Sequence, residues 1–157
     1  MVETTLKQQI LDLIPQKEPF RFVDSILDVK ENSIIGEYRF REDHFFYQGH
    51  FPGNPITPGV ILIEAMAQTG VVAMGISRLL IKGKSSEEVE KMITLFAFAE
   101  GIEFSGIVCP GEAVTIHGEM VYYRRGNLKA TVCMKRENGE GVCVGTLTGS
   151  GVNTYGH

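Results

Sequence analysis

The sequence predicts an α+β fold in which a curled antiparallel sheet wraps one long central helix. Three observations lead there. Val60–Ile76 is an almost unbroken apolar run opened by Pro58-Gly59. The chain after it is a series of strand-like runs separated by turn signals, Pro110-Gly111, Gly126-Asn127 and Asn138-Gly139-Glu140-Gly141. The 157 residues suit a single domain, 43% of them hydrophobic and 22% charged. Antiparallel strands need their apolar face covered, and a single long helix is available to cover it.

The elements follow in order. Leu6, Ile10, Leu13 and Ile14 share one face at helical spacing, predicting a helix over 4–14 that Pro15 stops. Phe20–Val29 is extended and apolar, a first strand. Ser33–Phe40 alternates, with Ile34, Gly36, Tyr38 and Phe40 on one face and Glu37 and Arg39 on the other, a second strand closing a hairpin. Arg41–Thr57 is a loop rich in aromatics, glycine and proline, and long loops inside compact domains are commonly functional. Thr57 is suited to cap the next helix and Pro58 to its first position, with the helix running to about Leu80. Lys82–Lys91 is a charged connection. Strands are expected over Met92–Glu100, Ile102–Cys109, Ala113–Arg125, Leu128–Arg136 and Val142–Ser150, with residues 151–157 a frayed tail of the single domain 1–157.

Composition narrows the function classes. A net charge of −4 offers no general attraction to nucleic acid or anionic membranes, so neither is an expected partner. The three cysteines, Cys109, Cys133 and Cys143, are odd in number and lack CxxC spacing, which argues for reduced thiols. Met1–Ile10 lacks the apolar stretch of a signal peptide, and a cytoplasmic location is expected. Val60–Ile76 approaches the length of a membrane span, but Glu64 inside it would be costly in lipid. A helix apolar all round is more simply a helix buried in a soluble protein. A single sheet cannot cover such a helix on every side, so a second copy of the chain is the expected partner.

The chemistry concentrates at one junction. Glu64 is the acidic residue inside the apolar segment, and burial there raises a carboxyl pKa unless a partner offsets it. Gln68 lies one helical turn on and can hydrogen-bond it. His50 sits in the loop that leads through Pro52, Pro55 and Pro58 into that helix. Imidazole and buried carboxyl together form a base–acid pair, and the amides of Gly59 and its neighbours can donate to a carbonyl oxygen on which negative charge develops. This set suits chemistry alpha to a carbonyl. His44 and His117 lack partners at metal-ligand spacing and no metal site is expected. Cys109 has no adjacent base, and no GxSxG, phosphate loop or dinucleotide fingerprint is present.

The run Gln48-Gly49-His50-Phe51-Pro52-Gly53-Asn54-Pro55-Ile56-Thr57-Pro58-Gly59-Val60, continued by Ile63-Glu64-Ala65-Met66-Ala67-Gln68, resembles the signature of the 3-hydroxyacyl-[acyl-carrier-protein] dehydratases, FabZ-like proteins with the hotdog fold. Ile14-Pro15, Pro19-Phe20 and Val23-Asp24 resemble that family's N-terminal segment, and Phe104 with Val108-Cys109-Pro110-Gly111-Glu112 a further landmark. The resemblance covers residues 10–150. It implies that His50 acts on the C2 proton and Glu64 on the C3 hydroxyl. Gly59, with Val60, would bind the thioester carbonyl, and Gln68 would orient the carboxylate. Phe51, Ile63 and Ala67 become candidates for an acyl tunnel. The implied product is a trans-2-enoyl thioester, made without metal or redox cofactor. The implied partners are an acyl carrier protein and a second subunit, since His and carboxylate of one site come from different chains of a dimer, and dimers can assemble as trimers. Glu at position 64 resembles the general dehydratase branch. Gln16 stands where the family usually has His, and Ser105-Gly106 where it commonly has a basic pair; a docking patch for an acidic carrier would then draw on Arg78, Lys82, Lys84, Arg124 and Arg125. Two alternatives stay open: a hotdog acyl thioesterase and a non-catalytic acyl-thioester binding module.

Overall fold

The computed structural model describes residues 2–153. Helix α1 (Val2–Leu13) turns Ile10 fully inward, and Ile14 follows it into the core. The Arg21 guanidinium donates to the Leu11 carbonyl at 2.7 Å and so satisfies an acceptor at the end of α1.

Strand β1 is shorter than expected, Ser25–Val29 rather than Phe20–Val29. The preceding residues are not in a ladder because their main chain is used elsewhere: the Phe22 amide donates to the Gln68 side chain at 2.7 Å. Strand β2 (Ser33–Arg39) pairs antiparallel with β1 and shows the expected alternation, Ile34 and Tyr38 buried and Arg39 exposed.

The loop between β2 and the central helix carries a single 3-10 turn, Phe45–Gln48. His44 is locked beneath it. Its Nε2 lies 2.5 Å from the Tyr38 hydroxyl and its ring stacks on Phe46 at 4.9 Å. Burial pushes the His44 pKa down, so it is held as a neutral packing residue.

The central helix is continuous from Gly59 to Ile81 and is built from α2 (Gly59–Ala67), a π-helical segment (Gln68–Ala73) and α3 (Met74–Ile81). Thr57 does not cap it. Pro58 is the N-cap, and the Thr57 hydroxyl instead meets the Tyr47 hydroxyl at 2.5 Å in the core. By length and composition this helix could cross a bilayer, but 67% of its apolar window is buried inside the fold. The charged connection Lys82–Lys91 contains a further short helix, α4 (Ser86–Glu90). Ser85 and Glu88 form a reciprocal capping box there, a signal present in the sequence and masked by the surrounding charge.

Four long strands complete the sheet: β3 (Met92–Phe104), β4 (Ala113–Arg124), β5 (Asn127–Arg136) and β6 (Gly141–Asn153). The two strands expected over Met92–Cys109 are one, because Gly101, at φ +59°, lets β3 continue through a bulge between Glu100 and Glu103. Ser105–Cys109 is outside it. Gly151–Asn153, expected to be frayed, extend β6 and pair with Met92–Thr94, while residues 154–157 lie outside the described residues. All pairings are antiparallel, and the sheet order is β1-β2-β4-β5-β6-β3.

Glycines let the sheet close on the helix. A Cβ on Gly118 of β4 would lie 2.9 Å from the Gly70 Cα, and one on Gly149 of β6 would lie 2.3 Å from Val71. Backbones approach this closely along the π-helical segment, whose six residues are all buried. The resulting arrangement is the expected curled sheet around a central helix.

Candidate functional site

The carboxyl of Glu64 projects from α2 one turn before the π-helical segment. Gln68 is fully buried and fixed on three sides. Its Nε2 donates to the Phe20 carbonyl and to Glu64 Oε1, both at 3.0 Å, and its Oε1 accepts from the Phe22 amide. An amide clamped by the main chain in this way can present only its N–H to Glu64, so the carboxyl is held in one orientation. The Gln68 bond to Glu64 matches the sequence expectation; the Phe20–Phe22 clamp has no sequence signal, because it uses main-chain atoms.

Burial raises the Glu64 pKa above 4.5, and the Gln68 hydrogen bond offsets part of the rise. The sign for stability follows. As pH rises from about 4.5 the unfolded chain loses this proton while the folded chain keeps it, so stability falls until pH passes the raised native value. Glu64→Gln removes the titration and leaves the Gln68 donor an oxygen to meet. Thermal melts from pH 4 to pH 8 are expected to show the variant level with wild type at the acid end and increasingly more stable toward pH 8. A difference that does not change with pH would contradict the assignment.

His50 is half-buried in the loop before α2. Its Nδ1 lies 2.8 Å from the Ile56 carbonyl, its amide donates to Phe46 O at 3.0 Å, and its carbonyl accepts from the Ile56 amide at 2.8 Å. A carbonyl only accepts, so Nδ1 carries the hydrogen and Nε2 of the neutral ring is left with its lone pair free. Phe51 stacks on the ring at 4.2 Å and is itself half exposed.

The start of α2 supplies donors. The Ile61 and Leu62 amides both reach the Pro58 carbonyl, so the helical ladder begins there and the Gly59 and Val60 amides precede it. A Cβ on Gly59 would lie 2.9 Å from the tip of the half-exposed Phe104 ring. Val60 is 73% exposed.

A cavity of about 190 Å³ opens beside Glu64, lined among others by Gln16, Ala67, Val72, Phe96 and Thr148. Of the three tunnel candidates, Ala67 is in its wall, Ile63 is partly buried against the core, and Phe51 lies on His50. His50 is not part of this cavity. The chain thus presents two sets of groups: a carboxyl with a pocket, and an imidazole with a flanking apolar ring. Arg78 and Lys82 lie at the C-terminal end of the central helix, away from Gly59 and Glu64. Arg78 stacks over Tyr123, Arg124 stacks over Tyr122, and Lys84 pairs with Glu88 at 3.6 Å. Among the described residues no group of three His, Cys, Asp or Glu side chains is placed to hold a metal.

Sheet, central helix and a carboxyl presented from that helix define a hotdog protein. Over residues 14–146 the chain matches the FabA-like domain. The 3-hydroxyacyl-[acyl-carrier-protein] dehydratase FabZ of Caldicellulosiruptor bescii is 36% identical over 140 residues, 88% of this chain and 93% of that protein. The FabZ of Yersinia enterocolitica is 38% identical over 145 residues, 89% of this chain and 79% of that one. The chain belongs to the FabA-like family, among the FabZ-type 3-hydroxyacyl-[acyl-carrier-protein] dehydratases. Solved structures agree on the fold. The dehydratase heterocomplex ApeI:P of Xenorhabdus doucetiae superposes with a TM-score of 0.76 at 12% identity, covering 92% of this chain and 91% of that one. The thioesterase HI1161 of Haemophilus influenzae superposes with a TM-score of 0.58 at 17% identity, covering 85% and 80%.

Proposed function

We infer that this protein is a hydro-lyase that dehydrates 3-hydroxyacyl-[acyl-carrier-protein] to the trans-2-enoyl thioester in fatty-acid or related lipid synthesis. Its FabZ relatives carry that activity in their names, and the residues at the site suit it. The observation that carries the residue assignment is that both groups are held in one orientation. The half-buried Glu64 carboxyl, whose pKa burial raises, is fixed by Gln68, while the Nδ1 bond of His50 leaves Nε2 to act as an acceptor.

The proposed elimination runs as follows. The thioester carbonyl lies on the Gly59 and Val60 amides, which stabilise the enolate-like charge as it develops. His50 Nε2 takes the C2 proton. The released electron pair forms the C2–C3 double bond as the C3–O bond breaks, and the Glu64 carboxyl protonates the departing hydroxyl, which leaves as water. Imidazolium and carboxylate remain and exchange a proton to reset. The carbonyl itself acts as electron sink, so the scheme calls on no metal or redox cofactor.

The two sets of groups are proposed to meet across a homodimer. Edge strand β3 supports this with exposed apolar residues: Leu95, at 54%, lines the Glu64 cavity, and Phe98, at 63%, follows it along the strand. A trimer of such dimers is compatible with the same scheme. The substrate's carrier is an acyl carrier protein, and the setting is soluble and cytoplasmic. Thioester cleavage is the second reading, suggested by thioesterases that share the fold. Incubation with 3-hydroxybutyryl and crotonyl carrier thioesters separates the two. Reversible hydration without thiol release is the expected result, and free thiol would sink the dehydratase reading.

A further inference from the structure

Two buried titratable side chains, Tyr38 and His44, take no part in the elimination scheme, yet they underlie the loop that carries His50. The Arg41 Nη1 donates to the Tyr38 hydroxyl oxygen at 3.0 Å. A guanidinium only donates, so the phenol hydrogen is turned to His44 Nε2, 2.5 Å away. Burial raises the Tyr38 pKa and lowers that of His44, which keeps both groups neutral and the direction of this bond fixed. Arg41 is held in turn by Asp24 at 2.7 Å and Glu18 at 3.8 Å.

Two paths lead from His44 to His50. The His44 carbonyl accepts from the Tyr47 amide at 3.2 Å, which builds the 3-10 turn on it. The His44 ring lies parallel to Phe46, with the planes 14° apart, and the Phe46 carbonyl accepts from the Gly49 amide at 3.3 Å and the His50 amide at 3.0 Å. Phe22 and Phe40 also pack against the His44 ring but offer it no hydrogen bond, so the Tyr38 hydroxyl sets which way the imidazole faces. We propose that Tyr38 and His44 are positioning residues for His50: their hydrogen bond fixes the His44 ring against Phe46, and Phe46 fixes the main chain at His50. The inference rests on the reading of His50 as the base. Neither residue lines the cavity beside Glu64, so their effect falls on the alignment of the imidazole rather than on substrate affinity.

Tyr38→Phe, His44→Phe and the double variant test this, since each keeps an aromatic ring in place and removes the hydrogen bond. In both single variants kcat for hydration of crotonyl-pantetheine is expected to fall about tenfold with KM within about twofold. The double variant is expected to fall no further, because one bond can be lost only once. Melting temperatures above the assay temperature establish that the variants are folded. A second readout needs no turnover. The ring nitrogens of His50, assigned by their loss in His50→Ala, are expected to give well-separated 15N signals in wild type and to move toward each other in the variants as Nδ1 leaves the Ile56 carbonyl. An unchanged kcat, single effects that multiply in the double variant, or His50 nitrogens that stay as in wild type would each overturn the assignment. If wild type shows no hydration but the nitrogen signals converge in the variants, the dehydratase reading falls while the positioning of His50 by this pair stands.

Discussion

His50→Ala and Glu64→Gln homodimers are each expected to lose at least about a thousandfold in dehydration rate, and a refolded equal mixture of the two to regain about a quarter of wild-type activity. The quarter follows from symmetry. Random pairing makes half the dimers mixed, and each mixed dimer has one site with both native residues and one with neither. Recovery of that size identifies a site shared between subunits. No recovery, with mixed dimers verified by mass, would place His50 and Glu64 in the same chain's site.

Gly118→Val is expected to be the most damaging single change to the fold. The added Cβ would lie 2.9 Å from the Gly70 Cα, a main-chain atom that cannot rotate away, and 3.0 Å from the Met74 side chain. Relief requires the central helix to move off β4, which would also displace the π-helical segment and the Gln68 clamp on Glu64. Overpacking of this kind costs about 1–3 kcal/mol or more, enough to lower the melting temperature by about 5 °C or more in a domain of this size. Gly49→Val, where a Cβ meets nothing within 4 Å, is the matched control and should leave the melting temperature near wild type.

These expectations also show what was legible in the sequence. The central helix was, because its apolar run is long and its start is marked by Pro58-Gly59. The Glu64–Gln68 pair was, because helical spacing alone brings residues one turn apart together. What depends on tertiary partners was not. Phe20–Asp24 has the composition of a strand, yet the Phe22 amide is taken by a side chain of the central helix rather than a neighbouring strand. Gly101 breaks strand patterning locally, but β3 lies at the sheet's edge, where a bulge disturbs one ladder only. The π-helical segment has no local cue; it lies where Gly118 and Gly149 bring the sheet closest to the helix. Nor did the sequence show where the tunnel candidates pack: Ala67 lines the Glu64 cavity while Phe51 lies on the His50 ring.

The apolarity of the central helix has a consequence for how the protein is made. Ribosomes deliver the chain from its N-terminus, and four of the six strands, β3 to β6, follow the helix. Until the strands from β3 onward emerge, a segment greasy enough to pass for a membrane anchor is covered by α1 and the first hairpin alone, and the sheet around it is complete only with β6. Nascent chains at this stage are expected to engage holdase chaperones, with release timed to synthesis of β6 rather than to completion of the helix itself.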